Sequence, residues 1–155
     1  MLSPDEYYNI INITTLSSVD LFIIKDNKLL VCKRENNPAK GYLFTPGCRT
    51  YKNELLEDCA YRVALSELNL EIDRNKLILI GVYDHIYENN FRDDKFGTHY
   101  VNTAYLYNLD SNIDIKLDSQ HDYYEWVENV IEHENIHNLV KITYKDINLP
   151  KSFCN

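Results

Sequence analysis

Pro46-Gly47-Cys48-Arg49-Thr50-Tyr51-Lys52-Asn53-Glu54-Leu55-Leu56-Glu57-Asp58-Cys59-Ala60-Tyr61-Arg62-Val63-Ala64-Leu65-Ser66-Glu67-Leu68-Asn69 is the stretch on which the reading of this chain turns. Pro46-Gly47 breaks the preceding element and brings little side-chain bulk, so backbone groups there can approach a ligand or metal closely. A helix is predicted from Asn53, a fair N-cap, with Glu54, Glu57 and Asp58 favouring its positive end. Leu56, Ala60 and Val63 recur at helical spacing as an apolar stripe. Asn69 ends it, a residue type that tolerates the left-handed conformation of many C-caps. Glu67 falls on the same stripe, four residues after Val63. A carboxylate on a face meant for the core is costly unless a cation or strong donors meet it. It either reaches water or an arginine at the stripe's edge, or it holds a ligand.

Working outward, Ser3-Pro4-Asp5-Glu6 reads as a capping box with proline in the first turn, starting a short helix through Tyr7 to about Ile11. Val19 to Ile24 is β-rich, Asp26-Asn27 suits a tight turn, and Leu29 to Lys33 returns as the second arm of a hairpin. Asn36 to Gly41 is a loop before Tyr42-Leu43-Phe44. Beyond the central helix, Leu77 to Asp84, Thr98 to Leu109 and Tyr123 to Val127 read as strands. Val130 to about Tyr144 reads as a helix with a break near His137. Strands interleaved with two substantial helices predict an α/β sandwich.

The chain has 155 residues, 45% of them hydrophobic and 26% charged, within the range of one soluble domain, taken as 1–155. Four glycines and four prolines leave little room for a linker. A formal net charge of -8 argues against duplex nucleic acid as the main partner, since counterion release needs a basic face. Between Lys33 and Arg62, however, the bases Lys33, Arg34, Lys40, Arg49, Lys52 and Arg62 outnumber the acids, so a small anion could bind there. Cys32, Cys48, Cys59 and Cys154 form no CxxC pair, which removes zinc-finger spacing and suggests free thiols in a reducing compartment. No long apolar run follows a basic start, so neither a signal peptide nor a membrane span is expected, and a cytoplasmic location is the default.

Cys48, Glu54, Arg62 and Glu67 fall at fixed positions of a longer pattern, and the segment resembles the Nudix box, G-x5-E-x7-R-E-U-x-E-E-x-G-U with U aliphatic. Glu54 matches the first acid, Arg62 the arginine and Glu67 the second acid of the pair. Cys48 replaces the first glycine, Val63 and Ser66 replace acids, and Asn69 replaces the closing glycine. This depleted box looks like the GDP-mannose mannosyl hydrolase branch. So do Ser18-Val19-Asp20-Leu21-Phe22, Lys33-Arg34 with Pro38-Ala39 and Gly41-Tyr42, Gly81 to Tyr87, Thr98-His99-Tyr100-Val101, and Gln120-His121-Asp122 with Tyr124 and Trp126, all in order.

The resemblance implies a Nudix fold, a mixed β-sheet between helices in an α/β (α+β) class. It implies hydrolysis of a GDP-hexose to GDP and free sugar at the anomeric carbon. By the same resemblance Mg²⁺, for which Mn²⁺ can substitute, is held by the Gly47 carbonyl, Glu67 and Gln120. Arg34 and Arg49 would steady the leaving diphosphate, and His121 would act as general base. Asp20, His85, Tyr87, Tyr100 and Tyr124 would touch sugar or nucleotide, Tyr7 would stack on guanine, and a homodimer is expected. His133 and His137 read as helix-surface residues, and Arg62 as more structural than catalytic. A pyrophosphohydrolase attacking phosphorus remains open, as does a non-catalytic nucleotide-binding module, the latter because cysteine at position 48 would be strained if that turn needs positive φ.

Overall fold

In a computed structural model, which describes residues 1–115 and 124–147, one mixed sheet carries seven strands. The elements are α1 (Pro4–Ile13), β1 (Leu16–Lys25), β2 (Lys28–Lys33), β3 (Leu43–Phe44), β4 (Gly47–Arg49), α2 (Leu56–Leu68), β5 (Ile78–Tyr87), β6 (Thr98–Asn108), β7 (Tyr124–Val127) and α3 (Asn138–Tyr144). The main path runs β3-β2-β1-β6-β5, with β4 on β1 and β7 on β2. The β1–β2 hairpin closes through Asp26 and Asn27, both with positive φ (50° and 63°), the residue types that best accept a primed two-residue turn. β1 then pairs in parallel with β6, from Leu16 opposite Tyr100 to Ile24 opposite Asn108.

Beyond the hairpin, β1 and β2 part like a fork. β4 pairs with β1, Asp20 opposite Gly47, while β3 pairs with β2, Cys32 opposite Phe44. The Thr45-Pro46 link between β3 and β4 therefore crosses the crotch of the fork, where both cavities described below open. Alternation along β1 divides the core. Val19, Leu21 and Ile23 pack with Val63, Ala64 and Leu68 of α2, whereas Phe22 and Ile24 pack with Ile136 and with Val140 of α3. The sheet is thus covered on both faces, as the α/β sandwich reading requires. No helix among the described residues is long and apolar enough to cross a membrane.

Two helix boundaries differ from expectation. α2 begins at Leu56, with Leu55 at its N-cap and no side-chain cap, rather than at Asn53. Asn53 instead adopts positive φ (66°), and Glu54 accepts from the Tyr51 amide at 2.8 Å while its carboxylate is drawn to Arg62. The predicted Val130–Tyr144 helix survives only as α3. Leu43 donates to the Asn135 carbonyl (2.8 Å) and accepts from the His137 amide (3.1 Å), and this strand-like clasp unwinds what precedes His137. The capping box of Ser3 and Glu6 is present, and Asn69 ends α2 in the left-handed conformation (φ 49°).

Candidate active site

The fork brings together residues far apart in sequence. One cavity of about 160 Å³ is lined by Ser18 and Asp20 of β1, Arg34 beyond β2, and Thr45, Gly47, Cys48 and Arg49 of the β3–β4 segment. His85 and Tyr87 of β5 and Tyr100 of β6 close it. A second, of about 280 Å³, adjoins it through Arg34, Phe44, Thr45 and Gly47, and adds Cys32, Glu35, Asn36 and Glu67. Arg34 therefore borders both, steadied by donation from Nε to the Pro38 carbonyl (2.8 Å) and by the Phe44 ring 5.4 Å away.

Glu67 is not in a sealed core. It lines the second cavity together with Gly47. Burial pushes its carboxyl up to about 8, with the neighbouring Cys48 and Asp20 adding to the rise and Arg34 opposing it. Asp20, buried, is pushed up to about 7 chiefly by desolvation, with Asn102 and Arg34 pulling the other way. Two carboxyls whose burial Arg34 only partly offsets, each lining a cavity beside Gly47, form an oxygen-rich setting that suits a hard divalent cation. Among the described residues no three His, Cys, Asp or Glu side chains converge as a metal cluster. A ligand set of one carboxylate, a backbone carbonyl and an amide oxygen would not form one. Gly47 is required sterically, because a β-carbon there would fall on the Asp20 carboxylate and lie 2.8 Å from the Val19 carbonyl oxygen.

His85 is buried, and desolvation pushes it down to about 4, so it is neutral near pH 7. Its Nδ1 lies 3.9 Å from Asp20, and its Nε2 has no hydrogen-bond partner. Thr45 Oγ1 is likewise buried and unpaired. Both residues line the first cavity, and unsatisfied buried polar atoms facing a cavity are what a polar ligand would complete. Tyr87 and Tyr100 supply hydroxyls whose pKa values burial raises, so they remain protonated donors.

Arg49 lies 4.7 Å from the Tyr7 ring. Tyr7 is itself stacked on Phe91 (5.2 Å between ring centres) and hydrogen-bonded through its hydroxyl to Tyr100, so it already has aromatic and cationic neighbours. Tyr124 sits behind α2, its hydroxyl donating to the Glu67 carbonyl at 3.3 Å. Gln120 and His121 lie outside the described residues. Thr45 and His137 were missed by the sequence reading. His137 is not a helix-surface residue: it caps α3, with Nδ1 accepting from the Leu139 amide, and its ring packs on Tyr42 and Phe44 at 5.0 and 4.9 Å. The only signal for it was the anticipated break in the helix.

Arg62 has the structural role expected. Its guanidinium grips Glu54 through Nε (2.6 Å) and Nη2 (2.9 Å), donates to the Arg49 carbonyl (3.1 Å) and lies over Tyr51 (3.9 Å). It thereby pins β4 to the start of α2. We predict that Arg62→Ala costs about 1.5–3 kcal/mol, the scale of hydrogen bonds to charged groups, read as a lower Tm. Arg62→Lys should recover only part of this, because an ammonium cannot reproduce the planar fork. Cys48 has extended strand geometry and no positive φ, so the strain considered for that position does not arise.

A sequence model described as the NUDIX domain matches residues 14–137. The chain is 35% identical over 120 residues to the "Low-salt glycan biosynthesis protein Agl8" of Haloferax volcanii, covering 77% of this chain and 75% of that one. It is 42% identical over 66 residues to an "ADP-ribose pyrophosphatase" of Methanocaldococcus jannaschii, covering 43% and 38%. Among solved structures, a MutT NUDIX hydrolase from Burkholderia pseudomallei superposes with a TM-score of 0.72 at 20% identity, covering 86% of this chain and 98% of that one.

Proposed function

Given that the chain belongs to the NUDIX family of hydrolases, we propose that it hydrolyses a GDP-hexose to GDP and free sugar by attack of water at the anomeric carbon. The observation that carries this reading is that Glu67, the one box carboxylate that lines a cavity, shares that cavity with Arg34, which also borders the adjoining cavity lined by Arg49. Attack at phosphorus generally leans on several metal-held carboxylates, and Val63 and Ser66 stand where two of the box acids would be. Attack at carbon chiefly needs a stabilised leaving group and a base.

Arg34 and Arg49 would hold the diphosphate oxygens, a guanidinium matching phosphate with paired donors as negative charge builds. Glu67, Gly47 and Gln120 would hold Mg²⁺, and that cation would supply further positive charge to the departing GDP. Asp20, neutral His85, Tyr87 and Tyr100 can exchange hydrogen bonds with sugar hydroxyls, and Thr45 Oγ1 and His85 Nε2 would gain the partners they lack. His121 would take the proton from water, imidazole being a base suited to near-neutral pH. The glycan-biosynthesis name of the Haloferax volcanii relative fits a sugar-bearing substrate.

The similarity to an ADP-ribose pyrophosphatase favours a second reading, cleavage of the phosphoanhydride in a nucleoside diphosphate derivative. Turnover of GDP-mannose or GDP-glucose in ¹⁸O-labelled water separates the two. Label in the hexose, with GDP as co-product, is the expected result. Label in phosphate, with GMP and hexose 1-phosphate, would overturn it.

A further inference from the structure

The departure at Cys48 has no part in the chemistry above, yet its surroundings are specific. Its sulfur lies 3.7 Å from that of Cys59, a contact across the junction of β4 and α2. Cys59 is fully buried in the first half of α2, while Cys48 is half-buried and lines the first cavity. Arg62 Nη2 stands 3.5 Å from the Cys59 sulfur, so a guanidinium flanks the pair. Cys32 lines the other cavity. Two thiols in contact, one reachable through a polar cavity and the other shielded behind it, are arranged as an attacking and a resolving sulfur.

We propose that Cys48 and Cys59 form an oxidative modification site, a dithiol that a hydroperoxide converts reversibly into a disulfide joining β4 to α2. Cys48 sulfur attacks one peroxide oxygen: an S–O bond forms, the O–O bond breaks, and the other oxygen leaves as water or alcohol, carrying the thiol proton. The Cys59 sulfur then attacks the sulfenic sulfur: the S–S bond forms, the S–O bond breaks, and the hydroxyl leaves as water with the second thiol proton. The two sulfurs together lose two electrons and the peroxide gains them. A disulfide is about 2.05 Å long, so the sulfurs must close by roughly 1.7 Å. Gly47 and Arg49 flank Cys48, so that closure acts directly on the floor of the cavity.

The test needs no substrate, and its failure is therefore distinguishable from failure of the glycosyl hydrolysis reading. The full chain is treated with stoichiometric hydrogen peroxide, alkylated, and examined by intact and peptide mass spectrometry. A monomer lighter by two hydrogens, with a Cys48–Cys59 cross-linked peptide that dithiothreitol removes, is expected. Cys48→Ser, a change at the half-buried partner, should abolish the cross-link, and Cys59→Ala should leave Cys48 open to further oxidation. Cys48 found as sulfinate with Cys59 still a thiol, oxidation of Cys32 or Cys154 with the pair intact, or no reaction would each overturn the proposal.

Discussion

Glu67→Gln is expected to lower turnover by about 10²–10³-fold, since a metal's share of transition-state charge stabilisation is several kcal/mol and each 1.4 kcal/mol is tenfold. The substitution preserves shape and removes only the negative charge. The dependence of rate on Mg²⁺ should weaken with it, and an unchanged metal titration would assign the metal elsewhere. Stability should move in the opposite direction. In the metal-free protein Glu67 is pushed up to about 8 from an ordinary 4.5. The folded chain thus keeps a proton that the unfolded chain releases, and stability falls as pH climbs from about 4.5 through about 8, levelling above it. Glutamine does not titrate. Metal-free Glu67→Gln should therefore match wild type near about pH 5 and melt higher near about pH 9. Asp20, pushed up to about 7, titrates in the same window and interacts with Glu67, so the difference between the two proteins reports Glu67 together with its coupling to Asp20. Added Mg²⁺ should raise the Tm of wild type through binding linkage and leave the variant nearly unmoved.

Gly47→Ala should damage both stability and turnover. The new methyl group meets the Asp20 carboxylate and the Val19 backbone, and backbone cannot step aside as a flexible side-chain end can. Overpacking of this kind costs about 1–3 kcal/mol, or about 2–4 °C of Tm per kcal/mol in a domain of this size. β1 and β4 must separate to admit it, and those strands carry Asp20 and Arg49. Turnover should fall further than stability explains. Gly41→Ala is the comparison: its β-carbon meets nothing within 4 Å, and its φ of +88° makes the cost one of backbone strain rather than of overlap. Equal effects of the two on turnover would remove the steric argument.

What could be read from sequence was what local chemistry decides. The capping box at Ser3, the turn at Asp26-Asn27 and the left-handed Asn69 each depend on residues within one turn of themselves. Glu67 was legible as a charge on an apolar stripe, and the structure places it at a cavity beside Gly47. What was not legible depends on partners remote in sequence. β4 is three residues long and exists because β1 lies beside it. Asn53, a plausible cap, was overruled by the Glu54–Arg62 pair. His137 and the shortened last helix follow from backbone bonds to Leu43, a residue nearly a hundred positions earlier. Thr45 carries no sequence signal at all; its importance lies in a hydroxyl left without a partner.

The parallel registry of β1 with β6 also bears on how the chain is made. Leu16 and Tyr100 are 84 positions apart, so on a ribosome the first long strand waits for its parallel partner while those intervening residues are made. Until then β2, β4 and α2 can gather on β1 and cover Val19, Leu21 and Ile23, while the edge of β1 that β6 completes stays open. Such distant closures slow folding, and the nascent N-terminal half is where aggregation or chaperone capture should concentrate.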